Sequence, residues 1–375
     1  MHSSFGAICR RTKRRRDRIE NRKTMKDGKH LTLAIETSCD ETAVAVLADG
    51  RIILSNVISS QIDVHRVFGG VVPEIASRHH LKNLNLVFAA ALDEAEVSLQ
   101  EIDEIGVAPG PGLAGALLMG TAFAKAVAFA AQKPLVAVHH IQAHIMANLI
   151  EHPELRPPFM ALVVSGGHTH LIGVEEYNRF RIWGKTRDDA AGEAFDKVAR
   201  VLGLGYPGGP RIDEVARQGD PDAVPFKRVY LEKDSLDFSF SGIKTGVINY
   251  LHTQKQRGHS VNVQDVAAGF QMSVVDVLVD KAAMALEQSG YRRLVLAGGV
   301  ASNSMLREKL RAACKRNGTE LYIPSPILCT DNAAMVACAA YHKQRLGLFA
   351  DLYLDVWPGL SIETGLALLD AKSHN

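Results

Sequence analysis

The sequence predicts an α/β protein built as two similar halves around a central cleft. Three observations carry that expectation. Residues 31–58 and 159–174 each follow one antiparallel plan: apolar strand, small polar turn, returning strand. Both openings are followed by helices alternating with short apolar strands, the last of them a buried run that ends in Gly298-Gly299. The length, 375 residues, exceeds what one hydrophobic core usually organises.

The chain begins with an excess of positive charge. Of 43 Lys/Arg and 41 Asp/Glu, residues 1–30 hold 11 and 3, which leaves 32 and 38 for the rest. The run Arg10-Arg11-Thr12-Lys13-Arg14-Arg15-Arg16 has no apolar face to pack, so residues 1–30 read as a disordered basic tail. The missing apolar segment excludes a secretory signal. Asp17, Glu20 and Asp27 count against a mitochondrial presequence, the alternative to a cytoplasmic protein with an upstream extension. The five cysteines include no C-x-x-C pair, which points to reduced thiols and away from a thiolate zinc site. No apolar run reaches bilayer-spanning length without a charge, Gly or Pro.

In chain order, a first half spans residues 31–140. Strands at 31–35, 43–47 and 51–58 form the first meander, with Asp49-Gly50 as its hairpin turn. The turn Glu36-Thr37-Ser38-Cys39-Asp40-Glu41-Thr42 offers hydroxyls and N–H groups to an anion, although Asp40 and Glu41 read more simply as solvated loop charges. A helix over about 76–95, a strand over 101–108 and a small-residue helix to Ala131 follow. That Gly/Ala density means either close packing or a phosphate-facing helix start. Its Pro109-Gly110-Pro111-Gly112 entry does not fit the G-x-x-x-x-G-K-[ST] frame of a P-loop.

The apolar strand 134–138 runs into a helix on which His140 and His144 lie at i and i+4, on one face. Two imidazoles so placed are able to share a divalent metal, whereas a lone H-x-x-x-H is more often two ordinary helix-start histidines. The second half spans 141–332. It carries Ser165-Gly166-Gly167-His168-Thr169 in its meander turn and three further glycine-bearing stretches, around Gly192, Gly208-Gly209 and Gly242. Gly turns at strand ends are where open α/β sheets bind ligands. Asp331 stands at a loop-to-helix junction, as an N-cap or as an oxygen ligand completing a His/His/Asp set. A closing helix over 333–350 is expected to return to the first half, followed by an extension over 351–375.

Taken together, several stretches resemble one family. They are Ile35 to Thr42, the His140/His144 pair, Ser165-Gly166-Gly167-His168-Thr169 and Gly192-Glu193-Ala194-Phe195-Asp196-Lys197. Tyr206 to Pro210, Phe238 to Thr245, Ala297-Gly298-Gly299-Val300 with Asn303, and Cys329-Thr330-Asp331-Asn332 complete the set. The sequence is similar to the tRNA N6-adenosine threonylcarbamoyltransferases, formerly called glycoproteases, from about Leu31 to Ala350. The resemblance implies the actin, Hsp70 and sugar-kinase fold. It also implies transfer of L-threonylcarbamoyl from its adenylate to N6 of adenosine 37 in ANN-decoding tRNAs, with AMP released.

By the same resemblance, His140, His144 and Asp331 are metal ligands, for iron(II) with zinc(II) as the second choice. Val163, Val164, Ser165, Gly166 and Gly167, with Asp196, Gly209, Asp213 and Asn303, hold the adenylate. Asp196 and Asp213 are expected to meet substrate hydroxyl or amine groups. The implied partners are tRNA, a fold-related paralogue and a small P-loop ATPase, with no membrane. His170 departs from the family, where Gln is common. A zinc peptidase would need H-E-x-x-H, and Ile141 occupies the position of its Glu. A sugar-kinase-like ATPase is the remaining alternative, distinguished by turnover of ATP with a small polyol.

Overall fold

The structure is a computed structural model that describes residues 28–370. The expected basic tail, apart from Gly28, Lys29 and His30, lies outside the described residues.

The first meander is present as β1 (Leu31–Glu36), β2 (Glu41–Ala48) and β3 (Ile52–Ser60), paired antiparallel. Asp49 and Gly50 turn the hairpin with φ of 50° and 66°, the left-handed values a two-residue turn requires. A short α1 (Ile62–Arg66) and the long α2 (Pro73–Ala95) lead to β4 (Glu104–Gly110). The strand expected over 101–108 therefore starts later, because Ser98 and Glu101 form a capping box that keeps Leu99–Glu101 in a 3-10 turn.

The small-residue helix is α3 (Ala114–Ala131), followed by β5 (Leu135–His139) and α4 (His140–Glu151). By length and composition α3 is able to cross a bilayer, and here its Ala116, Gly120, Ala124 and Ala128 face is buried against the first half. Its glycines answer the question their density raised. A Cβ on Gly120 would lie 2.2 Å from Thr37 Oγ1, and one on Gly115 would lie 2.3 Å from Ser77 Oγ. Close packing is their use.

The second half repeats the plan with β6 (Phe159–Val164), β7 (Thr169–Glu176) and β8 (Arg179–Lys185), the third strand being one the sequence reading did not anticipate. Helices α5 (Ala191–Val201), α6 (Gly208–Ala216), α7 (Ser241–Gln256) and α8 (Val263–Ser289) precede β9 (Arg293–Ala297). Then come α9 (Ser304–Asn317), β10 (Glu320–Tyr322), α10 (Pro326–Cys329), α11 (Ala333–Gln344) and α12 (Ile362–Asp370). The strand orders, β3-β2-β1-β4-β5 and β10-β9-β6-β7-β8, are one topology drawn twice. In each sheet the first strand of the meander is antiparallel to its hairpin partner and parallel to the later strand.

The layers place the site. Helices α2 and α3 cover the outer face of the first sheet, and α5 to α9 cover the outer face of the second. Between the sheets lies a third core built on α4 and α11. Residues 140–150 of α4 are all buried, which explains why its sequence is apolar nearly all round apart from His, Gln and Asn. Full burial of side chains such as Ile145, Met146 and Leu149 contributes about 1.5–3 kcal/mol each. The polar exceptions are anchored: Asn148 Nδ2 donates to the Leu296 carbonyl at 3.1 Å, and Gln142 Nε2 to the Tyr177 carbonyl at 3.1 Å.

Candidate functional site

Parallel strands bring their carboxyl ends to one side of each sheet, and the chemistry-bearing residues gather there. Glu36 closes β1, His139 closes β5, Val164 closes β6 and Ala297 closes β9. His140 and His144 follow directly on α4, with ring centroids 4.6 Å apart. Asp331 arrives just before α11, its Oδ1 3.1 Å from His144 Nε2 and 3.7 Å from His140 Nε2. The three ligand atoms lie within 4.8 Å of one another. The competing N-cap role is taken by Asn332, whose Oδ1 accepts the Met335 N–H at 3.0 Å. Asp331 is therefore not the cap, and its carboxylate is left to face the imidazoles.

This donor set fits a divalent metal. His144 Nδ1 is buried without a hydrogen-bond partner, and its buried Nε2 lies 3.1 Å from Asp331 Oδ1, so Nε2 and the carboxylate oxygen are close enough to share one ion. Two nitrogens and one carboxylate oxygen suit iron(II) or zinc(II). A second layer orients His140: its Nδ1 lies 3.2 Å from both Glu36 Oε2 and Ser38 Oγ. Glu36 itself is fully buried and also accepts the Ser38 N–H at 2.5 Å. A carboxylate behind a histidine fixes its tautomer and raises its basicity as a ligand.

The electrostatics follow from that packing. Burial pushes the His140 imidazole down, but the Glu36 and Asp331 carboxylates outweigh it and hold the group raised to about 9. Burial pushes Asp331 up, and the two imidazoles outweigh it, leaving the carboxyl lowered to about 2. The two shifts run in the directions that favour a positive imidazole beside a negative carboxylate, a charge balance that a divalent ion held by these side chains would replace. His168 is lowered to about 3, chiefly by burial, with the neighbouring His140 acting in the same direction.

Four glycines from three turns leave backbone uncovered. A Cβ added at Gly166, Gly167, Gly209 or Gly299 would meet nothing within 4 Å. Their neighbours are packed tightly: a Cβ on Gly192 would sit 2.5 Å from the Ser165 carbonyl oxygen, and one on Gly298 2.5 Å from that of Val164. In the Gly208-Gly209 and Gly298-Gly299 pairs the first glycine permits the packing and the second is open, whereas Gly166 and Gly167 are both open. Ser165 shapes its own turn, its Oγ accepting the His168 N–H at 3.2 Å.

The remaining candidates have internal partners. Val163 and Val164 are fully buried and contribute through the strand end they form. Asp196 Oδ1 accepts the Gly208 N–H at 2.7 Å, and its carboxyl is raised chiefly by burial. Asp213 binds Ser304 Oγ at 2.7 Å and Arg217 Nη2 at 2.8 Å. Asn303 caps α9 through the Leu306 N–H at 2.9 Å and donates to Gln271 Oε1 at 2.7 Å.

The structure corrects one expectation about the first turn. Asp40 is only 6% exposed, so it is not a solvated loop charge. Glu41 beside it is raised well above the usual carboxylate range by burial, by Asp40 and by Asp331, and it accepts the Ser60 hydroxyl at 3.0 Å. The turn is also no open anion cradle, since Thr37 Oγ1 donates to the Ala116 carbonyl and Ser38 serves Glu36 and His140. The role of Glu36 was missed. Its only signal in sequence is a carboxylate closing an otherwise apolar strand.

Comparison with known proteins bears on this arrangement. A family model described as tRNA N6-adenosine threonylcarbamoyltransferase (TsaD) matches residues 52–338. A protein of that name from Clostridium beijerinckii is 54% identical over 334 residues, covering 89% of this chain and 98% of the relative. Another, from Clostridioides difficile, is 54% identical over 332 residues, covering 88% and 98%. Among solved structures, T. kodakarensis HypF superposes with a TM-score of 0.60 at 13% identity, over 86% of this chain. That match spans 49% of the HypF chain, about half its length. Component A of the Acidaminococcus fermentans (R)-2-hydroxyglutaryl-CoA dehydratase gives 0.50 at 16% identity, over 84% of this chain and 99% of that one. These two likenesses concern the fold alone, the two-lobed actin-like α/β architecture. On the family match and the identity to its named relatives, the chain belongs to the tRNA N6-adenosine threonylcarbamoyltransferase family.

Proposed function

We infer that this enzyme transfers an L-threonylcarbamoyl group from threonylcarbamoyl-adenylate to N6 of adenosine 37 in ANN-decoding tRNAs, releasing AMP. The observation that carries the site-level reading is the His140/His144/Asp331 triad standing beside glycine turns with uncovered backbone. In the reaction the N6 amine attacks the carbamoyl carbon, the new N–C bond forms, and the bond from that carbon to the phosphate oxygen breaks. N6 loses a proton and AMP leaves with the electron pair. Negative charge builds on the carbamoyl oxygen and the departing phosphate.

His140, His144 and Asp331 would hold one divalent ion, iron(II) in our reading and zinc(II) as second choice. When bound, that ion supplies Lewis acidity to the oxygens on which charge develops. The chain's own N–H groups at Gly166 and Gly167 are candidates to donate to the same oxygens, the Ser165 N–H being held by the His168 carbonyl, and Gly209 leaves space for the nucleoside to lie against backbone. Asp196 and Asp213 would meet substrate hydroxyl or amine groups by sharing their present partners, Gly208 for one and Ser304 with Arg217 for the other. Asn303 and the strand end Val163-Val164 would set the frame for these contacts. Exposed Lys and Arg at the rim supply the phosphate contacts that tRNA requires.

A fold-related paralogue and a small P-loop ATPase are the proposed partners, and the cytosol the proposed compartment. Incubation of metal-loaded protein with unmodified tRNA and threonylcarbamoyl-adenylate, then mass analysis of nucleosides, tests the reading. The threonylcarbamoylated adenosine is expected, and its absence from correctly loaded protein supplied with those partners would sink the assignment.

A further inference from the structure

His139 is no ligand, yet it is a fully buried imidazole with both nitrogens engaged. It closes β5 and caps α4, so it immediately precedes the ligand helix. Its Nδ1 accepts the Ile141 N–H at 3.2 Å, which places the ring proton on Nε2. Nε2 donates to the Leu360 carbonyl oxygen, also at 3.2 Å. Only the neutral Nε2–H tautomer satisfies both partners.

Leu360 belongs to a C-terminal strap, residues 357–370, fastened at several points. The Trp357 N–H donates to the Pro109 carbonyl at 2.8 Å, and the Gly112 N–H to that of Pro358 at 3.1 Å. A Cβ on Gly110 would lie 2.2 Å from the Trp357 carbonyl oxygen, so the strap lies directly against the end of β4. The strap continues as α12, buried through Ile362, Leu366 and Leu369. It ends at Asp370, whose carboxylate pairs with the buried Lys343 ammonium at 2.5 Å. Lys343 lies in the last turn of α11, the helix that Asp331 precedes. One segment thus grips the start of the helix that carries both histidines and the end of the helix beside the aspartate.

We propose that His139 is a positioning residue for the metal triad: its ring ties the first turn of α4 to the strap and so holds His140 and His144 in register with Asp331. The proposal rests on the metal reading of the triad. Cobalt(II), titrated into full-length metal-free protein, tests it in wild type, His139→Asn and His139→Phe. Asn keeps an acceptor for the helix N–H groups but is too short for Leu360, while Phe keeps ring volume and loses both bonds.

The cobalt Kd is expected to rise about 10- to 100-fold in His139→Phe, the size typical for loss of an outer partner at a metal site. A smaller rise is expected in His139→Asn, with the visible bands of bound cobalt shifted in both. Circular dichroism and thermal midpoints record folding separately. A His139→Phe protein with the wild-type Kd and spectrum overturns the proposal, whatever its melting temperature, and leaves the triad reading intact. If His139→Phe does not fold, an unshifted spectrum in His139→Asn overturns it equally. Wild-type protein that takes up no cobalt removes the triad reading and the proposal together.

Discussion

The two ring nitrogens of His140 face opposite tasks: Nδ1 meets Glu36 and Ser38, and Nε2 meets Asp331. His144 has no such backing: its Nδ1 is buried without a partner, while its Nε2 lies 3.1 Å from Asp331 Oδ1. Losing an outer partner at a metal site costs about 10–100-fold, so His144→Ala, which removes a ligand, should weaken metal binding by more than ~100-fold. Chelator competition followed by metal analysis of the desalted protein measures this, and full retention of metal would count against the triad. Gly166 tests the neighbouring turn. Its position is open and its backbone unstrained, so Gly166→Ala should change unfolding stability by less than about 0.5 kcal/mol. Adenylate binding should nevertheless weaken about tenfold or more if the ligand lies on that backbone, read by titration with AMP or a non-hydrolysable adenylate. An unchanged Kd would move the ligand away from the turn.

Helix α4 supplies two ligands and the turn ahead of α11 the third, and the local sequence decides how each helix begins. Asn332 rather than Asp331 caps α11, so Asn332→Ala should cost about 1 kcal/mol in urea unfolding. It should also lower metal affinity, because the turn holding Asp331 loses its anchor; unaltered affinity would separate cap from site. Spacing alone did not choose between adjacent Asp and Asn, since both residue types cap well. The same limit explains Glu36: nothing near it in sequence announces a buried carboxylate, and its partner His140 arrives 104 residues later. Most of the helices and strands were legible, because their apolar periods are long and their turns carry Gly or Asp-Gly, although α8 and β10 were not anticipated. Nor was β8. It is a half-exposed edge strand whose alternation of Arg with Phe and Ile is short. Asp40 was misread because a charge in a turn is usually solvated, and only the opposing half buries it.

At the scale of the whole molecule, histidines set the response to acid. His139 and His168 are lowered to about 3, and His170 and His342 to about 4, each chiefly by burial. In the unfolded chain these groups take up protons near 6.5, whereas the folded state leaves them neutral until far lower pH. The unfolded state therefore binds more protons across the interval from 6.5 down to about 4.5, and stability falls as pH falls through it. Glu41, Asp196, His30 and His140, all raised on folding, oppose this, while His65 and His80, lowered chiefly by burial, add to it, so six lowered imidazoles stand against four raised groups. The thermal midpoint should drop by more than about 5 °C between pH 6.5 and pH 5. A flat midpoint in differential scanning calorimetry would show that these rings are more accessible than the packing indicates.

The duplicated sheets are also unequal in how the chain completes them. The second half draws its sheet and covering helices from one continuous stretch, β6 to β10. The first half must wait for α11, which packs against β1, β2, β4 and β5, about three hundred residues after β1 has been made. During synthesis the earlier half therefore emerges first and finishes last, with the inner face of its sheet uncovered meanwhile. A chain stopped at Thr330 should show amide-exchange protection in β6 to β9 and little in β1 to β5. Equal protection in both would mean the first sheet holds without its late helix. Because Asp331 sits just ahead of α11, the third member of the triad joins the two histidines in the same event that closes the earlier half, so the triad is assembled only when translation is nearly over.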